Sequence, residues 1–249
     1  ASLDLRALVA TRLAGLPPAA QRVLERAAAC GEHFYLDAVL MLWRCDRTGV
    51  ALARSIGSET ADDESGALDT SDALDALDAE GRSGLSTGEP WEDDEDLGSA
   101  ALSRLDDSAD RVSLVATLEQ LVAQGLIVAV TDSRLHGERG YRFAYSPWRD
   151  LCYERLSSAR KRRYHRLLSH WLLLHRERDS DDIVEAVARH LERAAYGSGA
   201  AYFYHQLAGR ASAQDQLARA TRLLLRAIAC LGKADMGQRV AMWHELGAI

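Results

Sequence analysis

The sequence predicts a mainly α-helical chain carrying one small β-element, and three observations predict it. Apolar residues recur at spacings of three and four over most of the 249 residues, the period of helices that bury one face. Only two short runs, Leu126 to Val130 and Tyr141 to Ala144, cluster or alternate as strands do. Three of the four prolines, Pro17, Pro18 and Pro147, stand where a helix would begin. The length suits one large domain or two ordinary ones. At 47% hydrophobic and 27% charged, the composition is that of a globular protein. No stretch approaches the roughly 20 apolar residues that a bilayer span needs.

The first helix is expected over Leu3 to Ala14, with Leu5, Leu8, Val9 and Leu13 on one side. Gly15 and the Pro17-Pro18 pair end it and open a second, Ala-rich helix over 18–30 that turns Val23, Leu24 and Ala27 inward. A third, strongly apolar helix is expected from Phe34 to Trp43. Residues 56–110 then break the pattern. They hold eighteen Asp and Glu against Arg82 and Arg104, a balance of −16 inside a net charge of −7, so the remainder carries +9. Such a composition buries too little apolar area to offset the entropy of ordering, and a flexible solvated insert is expected.

Periodicity resumes near Val112, where Leu114, Val115, Leu118, Leu121 and Val122 form a stripe that ends at Gly125, a residue suited to a left-handed cap. The two strand-like runs follow as a hairpin. Three helices, an insert, a fourth helix and a hairpin make a winged-helix-like domain over 1–146. From 147 the pattern is helical throughout, with Ser146 as the expected N-cap and helices near 147–157, 159–177, 181–195, 200–212, 214–231 and 236–249. Helix pairs on short turns suggest a region like tetratricopeptide repeats over 147–249. Tyr153, Leu156, Tyr164, Leu167, Leu168 and Trp171 are expected to be buried together. The helix-like start at Ala1 and the uncapped end at Ile249 read as cuts through a longer chain.

Candidate chemistry is sparse. Cys30, Cys45, Cys152 and Cys230 are scattered without a CxxC pair, as reduced core thiols of a cytoplasmic protein would be. A phosphate-binding loop needs GxxxxGK[ST], whereas Gly232-Lys233 is followed by Ala234 and lacks the earlier glycine. His165, His170 and His175 lie five apart, about 140° per step round a helix, so they share no face and read as ordinary, partly exposed side chains. No carboxylate pair or Ser/His pair stands at a strand end. Catalytic, metal and cofactor sites are therefore expected to be absent from the chain.

The one functional-looking feature is the basic run Arg160, Lys161, Arg162, Arg163, with Arg149, Arg155 and Arg166 beside it. It is the candidate interaction patch. A solvated helix face, docking onto the acidic insert and contact with nucleic-acid phosphates are the readings it admits. The third helix, apolar from Leu36 to Trp43, offers almost none of the Arg, Lys, Asn or Gln that read base edges. Nucleic acid is the weaker partner on this ground, and another protein surface the stronger.

The segment from Leu13 to Leu24 (LAGLPPAAQRVL) and then Ala27 to Phe34 (AAACGEHF) resembles the winged-helix part behind the nucleotide-binding domain of STAND-class ATPases. Similar segments occur in multidomain bacterial serine/threonine kinases, nucleotide cyclases and LuxR-type regulators. The blocks Leu118 to Ile127, Tyr141 to Phe143, Arg149 to Leu156 and Arg163 to Arg166 extend the resemblance, and 183–249 resembles the tetratricopeptide-like region that follows in those proteins. Tyr145 stands where the family usually has a histidine, and Pro147 is atypical. The resemblance implies a non-catalytic regulatory arm that relays nucleotide or ligand state between neighbouring domains by docking. ATP would belong to another part of the parent protein, and a DNA-binding part of a transcriptional regulator is the alternative.

Overall fold

In a computed structural model, the structure describes residues 5–59, 108–131, 135, 137–175, 180–232 and 235–248. These residues form ten helices and three strands and divide into two compact units, Ala1–Arg160 and Lys161–Ile249. The division expected at 146/147 falls fourteen residues later, because the helix that follows the hairpin packs onto the first two helices.

The first unit runs α1 (Leu5–Ala14), α2 (Pro18–Cys30), β1 (His33–Tyr35), α3 (Leu36–Glu59), α4 (Ser108–Ala123), β2 (Ile127–Val130), β3 (Gly140–Phe143) and α5 (Ser146–Glu154). The strands form one antiparallel sheet in the order β1-β3-β2, with Phe34 opposite Tyr141 and Ile127 opposite Phe143. Two expectations are corrected here. Phe34 and Tyr35 belong to a strand rather than to the third helix. Gly31, at φ +131°, turns the chain away from α2, and Phe34 then inserts its ring beside Tyr141 and Phe143, with centroids 5.6 and 5.5 Å away. That aromatic burial and the pairing to β3 outweigh the local helical spacing. The third helix also continues to Glu59, into the start of the acidic stretch. The rest of the expected insert, 60–107, lies outside the described residues.

Other expectations hold. Val23, Leu24 and Ala27 of α2 are buried, as are Leu114, Leu118 and Leu121 of α4 and nearly all of the apolar start of α3. Leu8 instead stands exposed, off the Val9–Leu13 side of α1. Gly125 has φ +70°, and the Leu126 N–H bonds the Leu121 carbonyl beyond it, closing α4. Tyr141, Arg142 and Phe143 alternate in, out, in. Ser146 is the first residue of α5 rather than its cap, since the Trp148 N–H bonds the carbonyl of Tyr145.

Ion pairs stitch α3 to its neighbours. Arg26 of α2 reaches Asp46 at 2.6 Å, and Asp110 at the start of α4 takes Arg47 at 2.7 Å, with Arg44 3.9 Å away. Arg111 pairs with Asp37. The Arg26–Asp46 pair is largely buried, the setting in which losing one partner strands a charge away from water.

The second unit contains most of α6 (Ser158–Leu174), then α7 (Asp181–Arg193), α8 (Gly197–Ala213), α9 (Leu217–Cys230) and α10 (Met236–Ala248). α8 packs against α7 and α9, and α9 against α10, and the turns use one device twice. Ala195 and Asp215 adopt φ +60° and +57°, while the N–H groups of Tyr196 and Gln216 bond the carbonyls of Leu191 and Ala211. A Cβ on Gly197 would lie 2.2 Å from the Cys230 carbonyl oxygen, so glycine permits the start of α8 to touch the end of α9.

Tyr164, Leu168 and Trp171 are buried along one face of α6, and Leu156 is buried just before it, while Tyr153 and Leu167 are half-buried. Trp171→Ala should cost about 3–5 kcal/mol of stability by leaving a cavity. Arg162→Ala, at an exposed position of the same helix, should cost about 0.5 kcal/mol or less. Thermal and denaturant melts of the two variants check this, and an unchanged melt for Trp171→Ala would refute the packing assigned to α6.

Candidate interaction surface

The seven basic residues singled out in the sequence divide into two groups. Arg149 on α5 pairs with Asp150 at 2.9 Å and lies 5.2 Å from the Tyr153 ring centre. Arg155, just past α5, donates to the Gln21 side chain at 2.8 Å and meets Glu25 at 3.2 Å. Both are spent on fastening α5 to itself and to α2. The other five, Arg160, Lys161, Arg162, Arg163 and Arg166, occupy the first turns of α6, where Arg160, Arg162 and Arg166 are exposed and Lys161 and Arg163 half-buried. The first turn of α6 carries no acidic residue. Cations there add to the positive end of the helix dipole rather than offset it, so the start of α6 carries concentrated positive charge.

A second constellation lies in the second unit. Glu192, near the end of α7, accepts the Tyr204 hydroxyl at 2.9 Å and the Arg226 guanidinium at 2.9 and 3.0 Å. Arg226 also lies 4.9 Å from the centre of the Tyr204 ring. These three side chains cross-link α7, α8 and α9. Glu192 also edges a groove of about 490 Å³ that Ala195, Gly197, Ser198, Cys230 and Asp235 line. Burial, then the hydrogen bond to Glu192, raises the phenol of Tyr204 above its ordinary range. Burial and the Glu192 carboxylate push the Cys230 thiol up to about 11.

Cys30 and Cys152 are shifted in the same direction. Burial pushes Cys30 and Cys152 up to about 12, and no cysteine forms a disulfide. The two most perturbed thiols sit on α2 and α5, in the core of the first unit, rather than in a cleft. Among the described residues no group of three or more His, Cys, Asp or Glu is placed to hold a metal ion.

The histidines depart from the sequence reading. His165 is fully buried, not partly exposed, and its Nδ1 lies 2.8 Å from Nδ1 of His190, itself buried on α7. His170 is half-buried, and burial followed by Arg166 lowers its pKa. His175 stacks on Trp171 with ring centres 4.2 Å apart. The three share no face of α6, as their spacing requires. The His165–His190 pair was missed because its two members are 25 residues apart and on different helices. One signal was present: His190 continues the Ile183–Val187 stripe of α7, so helical periodicity alone places it inward.

No protein-family model, curated protein or solved structure matches this chain. Among the described residues no helix is long and apolar enough to cross a membrane.

The thiol environments carry a direct expectation. With its pKa raised from 9.0 to about 11, Cys230 has about a hundredfold less thiolate at neutral pH than an unperturbed thiol. Alkylation of the native chain at pH 7.5 should therefore leave Cys30 and Cys152 unmodified until unfolding and label Cys230 about a hundred times more slowly than free cysteine. Rapid labelling of any of the three would contradict these environments.

Proposed function

We propose that the chain is a non-catalytic regulatory and interaction module of a larger, cytoplasmic STAND-type signalling protein. It relays nucleotide or ligand state between domains by protein–protein docking. The observation that carries the reading is the order of elements. A helical core with a small three-stranded sheet, whose last two strands form a hairpin directly after α4, is followed by a run of helices joined by short turns. That order fits a winged-helix-like part ahead of a tetratricopeptide-like part, as the resemblance implies.

Two features favour docking over DNA reading. In helix-turn-helix readers the recognition helix turns donors toward base edges, and here α4, the helix before the hairpin, commits Asp110 and Arg111 at its start to ion pairs with α3. The hairpin packs its Ile127, Tyr141 and Phe143 inward, as a structural element does. The alternative, a DNA-binding part of a transcriptional regulator, draws on the cations at the start of α6. The chain is read as neither an ATPase nor another enzyme, with any ATP held elsewhere in the parent protein, because the sequence lacks a phosphate-binding loop.

Two titrations test the reading. Calorimetry with ATP should give no micromolar binding, and steady turnover of ATP should be absent. Duplex DNA should bind weakly and without a steep salt dependence. Tight binding that weakens by orders of magnitude between about 50 and 200 mM salt, and collapses when Arg160, Lys161, Arg162 and Arg163 are replaced by alanine, would instead establish the DNA-binding alternative.

A further inference from the structure

We propose that the buried His165–His190 pair is a proton-sensitive latch that joins α6 to α7 at neutral pH and releases them on acidification. The geometry allows few protonation states. Nδ1 faces Nδ1 at 2.8 Å, so the ring nitrogens can share only one proton: one imidazole carries hydrogen on Nδ1 and donates, and the other accepts on Nδ1 and carries its own hydrogen on Nε2. The ring centres are 5.0 Å apart, and both residues are buried. A proton added from water to the accepting Nδ1 would set two N–H groups against each other. A proton added to Nε2 of the donor would keep the hydrogen bond but place a cation out of water.

Around His190 the surroundings oppose that cation. On α7 the charges bearing on His190 are Arg189 and Arg193, and on α6 they are His165 itself, with Arg166 the next residue along. Three of the four carboxylates of α7 are engaged elsewhere: Asp181 with Arg210 and Arg219, Glu185 with Arg219, and Glu192 with Tyr204 and Arg226; the fourth, Asp182, sits in the first turn of α7, eight residues before His190. On α8, packed on α7, Tyr204 is held by Glu192. Burial first, then His165 and the two arginines, lower the His190 pKa well below 6.5. A depressed histidine pKa means that the opened chain binds more protons than the closed one below about pH 6.5. The stability that the latch supplies is thus complete above that pH and is lost as the pH falls through the histidine range.

The full chain tests this in two ways. Imidazole nitrogen resonances of the wild type, followed from pH 8 to 5, should report two neutral rings with one shared proton, changing only as the helices separate. Amide exchange in α6 and α7 should report an opening constant that rises as the pH falls from 6.5 to 5.5, by up to about fivefold for each histidine that takes up a proton and so up to about thirtyfold for two. That of α2 should stay nearly flat. A His165→Asn/His190→Asn variant should lose this pH dependence. Ordinary titration of both rings in an intact protein, or an opening constant in α6 and α7 that does not change with pH, would overturn the proposal. The wild-type titration decides the matter even where the variant folds poorly.

Discussion

The first unit depends on the central strand, β3. Its four residues pair with β1 on one edge and β2 on the other, so they join segments more than a hundred residues apart in sequence. The Phe143 N–H bonds the Glu32 carbonyl, the Leu36 N–H bonds the Arg139 carbonyl, and the Ala144 N–H bonds the Leu126 carbonyl. Phe34, Tyr141 and Phe143 put three rings on the buried side of that seam. Closing a chain loop of this length costs entropy that grows only slowly with length. A short strand with aromatic anchors can therefore hold the two parts of the unit together. The ion pairs from α3 to α2 and α4 act on the same junction from the helical side.

Much of this was legible in the sequence, and the errors have a common cause. The helices after residue 147 were readable because their stripes are complete within each segment, as Ile183, Val187 and Leu191 illustrate. The cap at Gly125 was readable because only the left-handed region explains a glycine there. Phe34 and Tyr35 were misread because Leu36 to Leu42 continue the apolar run and nothing local marks a strand three residues long. What makes them a strand is the partner at 140–143, which local periodicity cannot see. The same holds for the site. The basic cluster was visible as composition, but the partners that occupy Arg149 and Arg155 come from α5 and α2, and the His165–His190 contact joins two helices.

The second unit balances charge differently from the first. Its carboxylates are distributed over arginines of other helices, with Glu192 holding Tyr204 and Arg226, and Asp181 holding Arg210 and Arg219. The first turn of α6 holds cations and no acidic residue.

Native-state amide exchange of the first unit tests the central role of β3 most directly. If β3 is the seam of that unit, the amides of Leu36, Phe143 and Ala144 open only with the whole unit. Their opening free energy should then equal that of the most protected amides of α2 and fall together with it in denaturant. Exchange of the Phe143 amide at a distinctly lower free energy, with α2 still protected, would mean that the helices hold the unit without the sheet and would contradict the account.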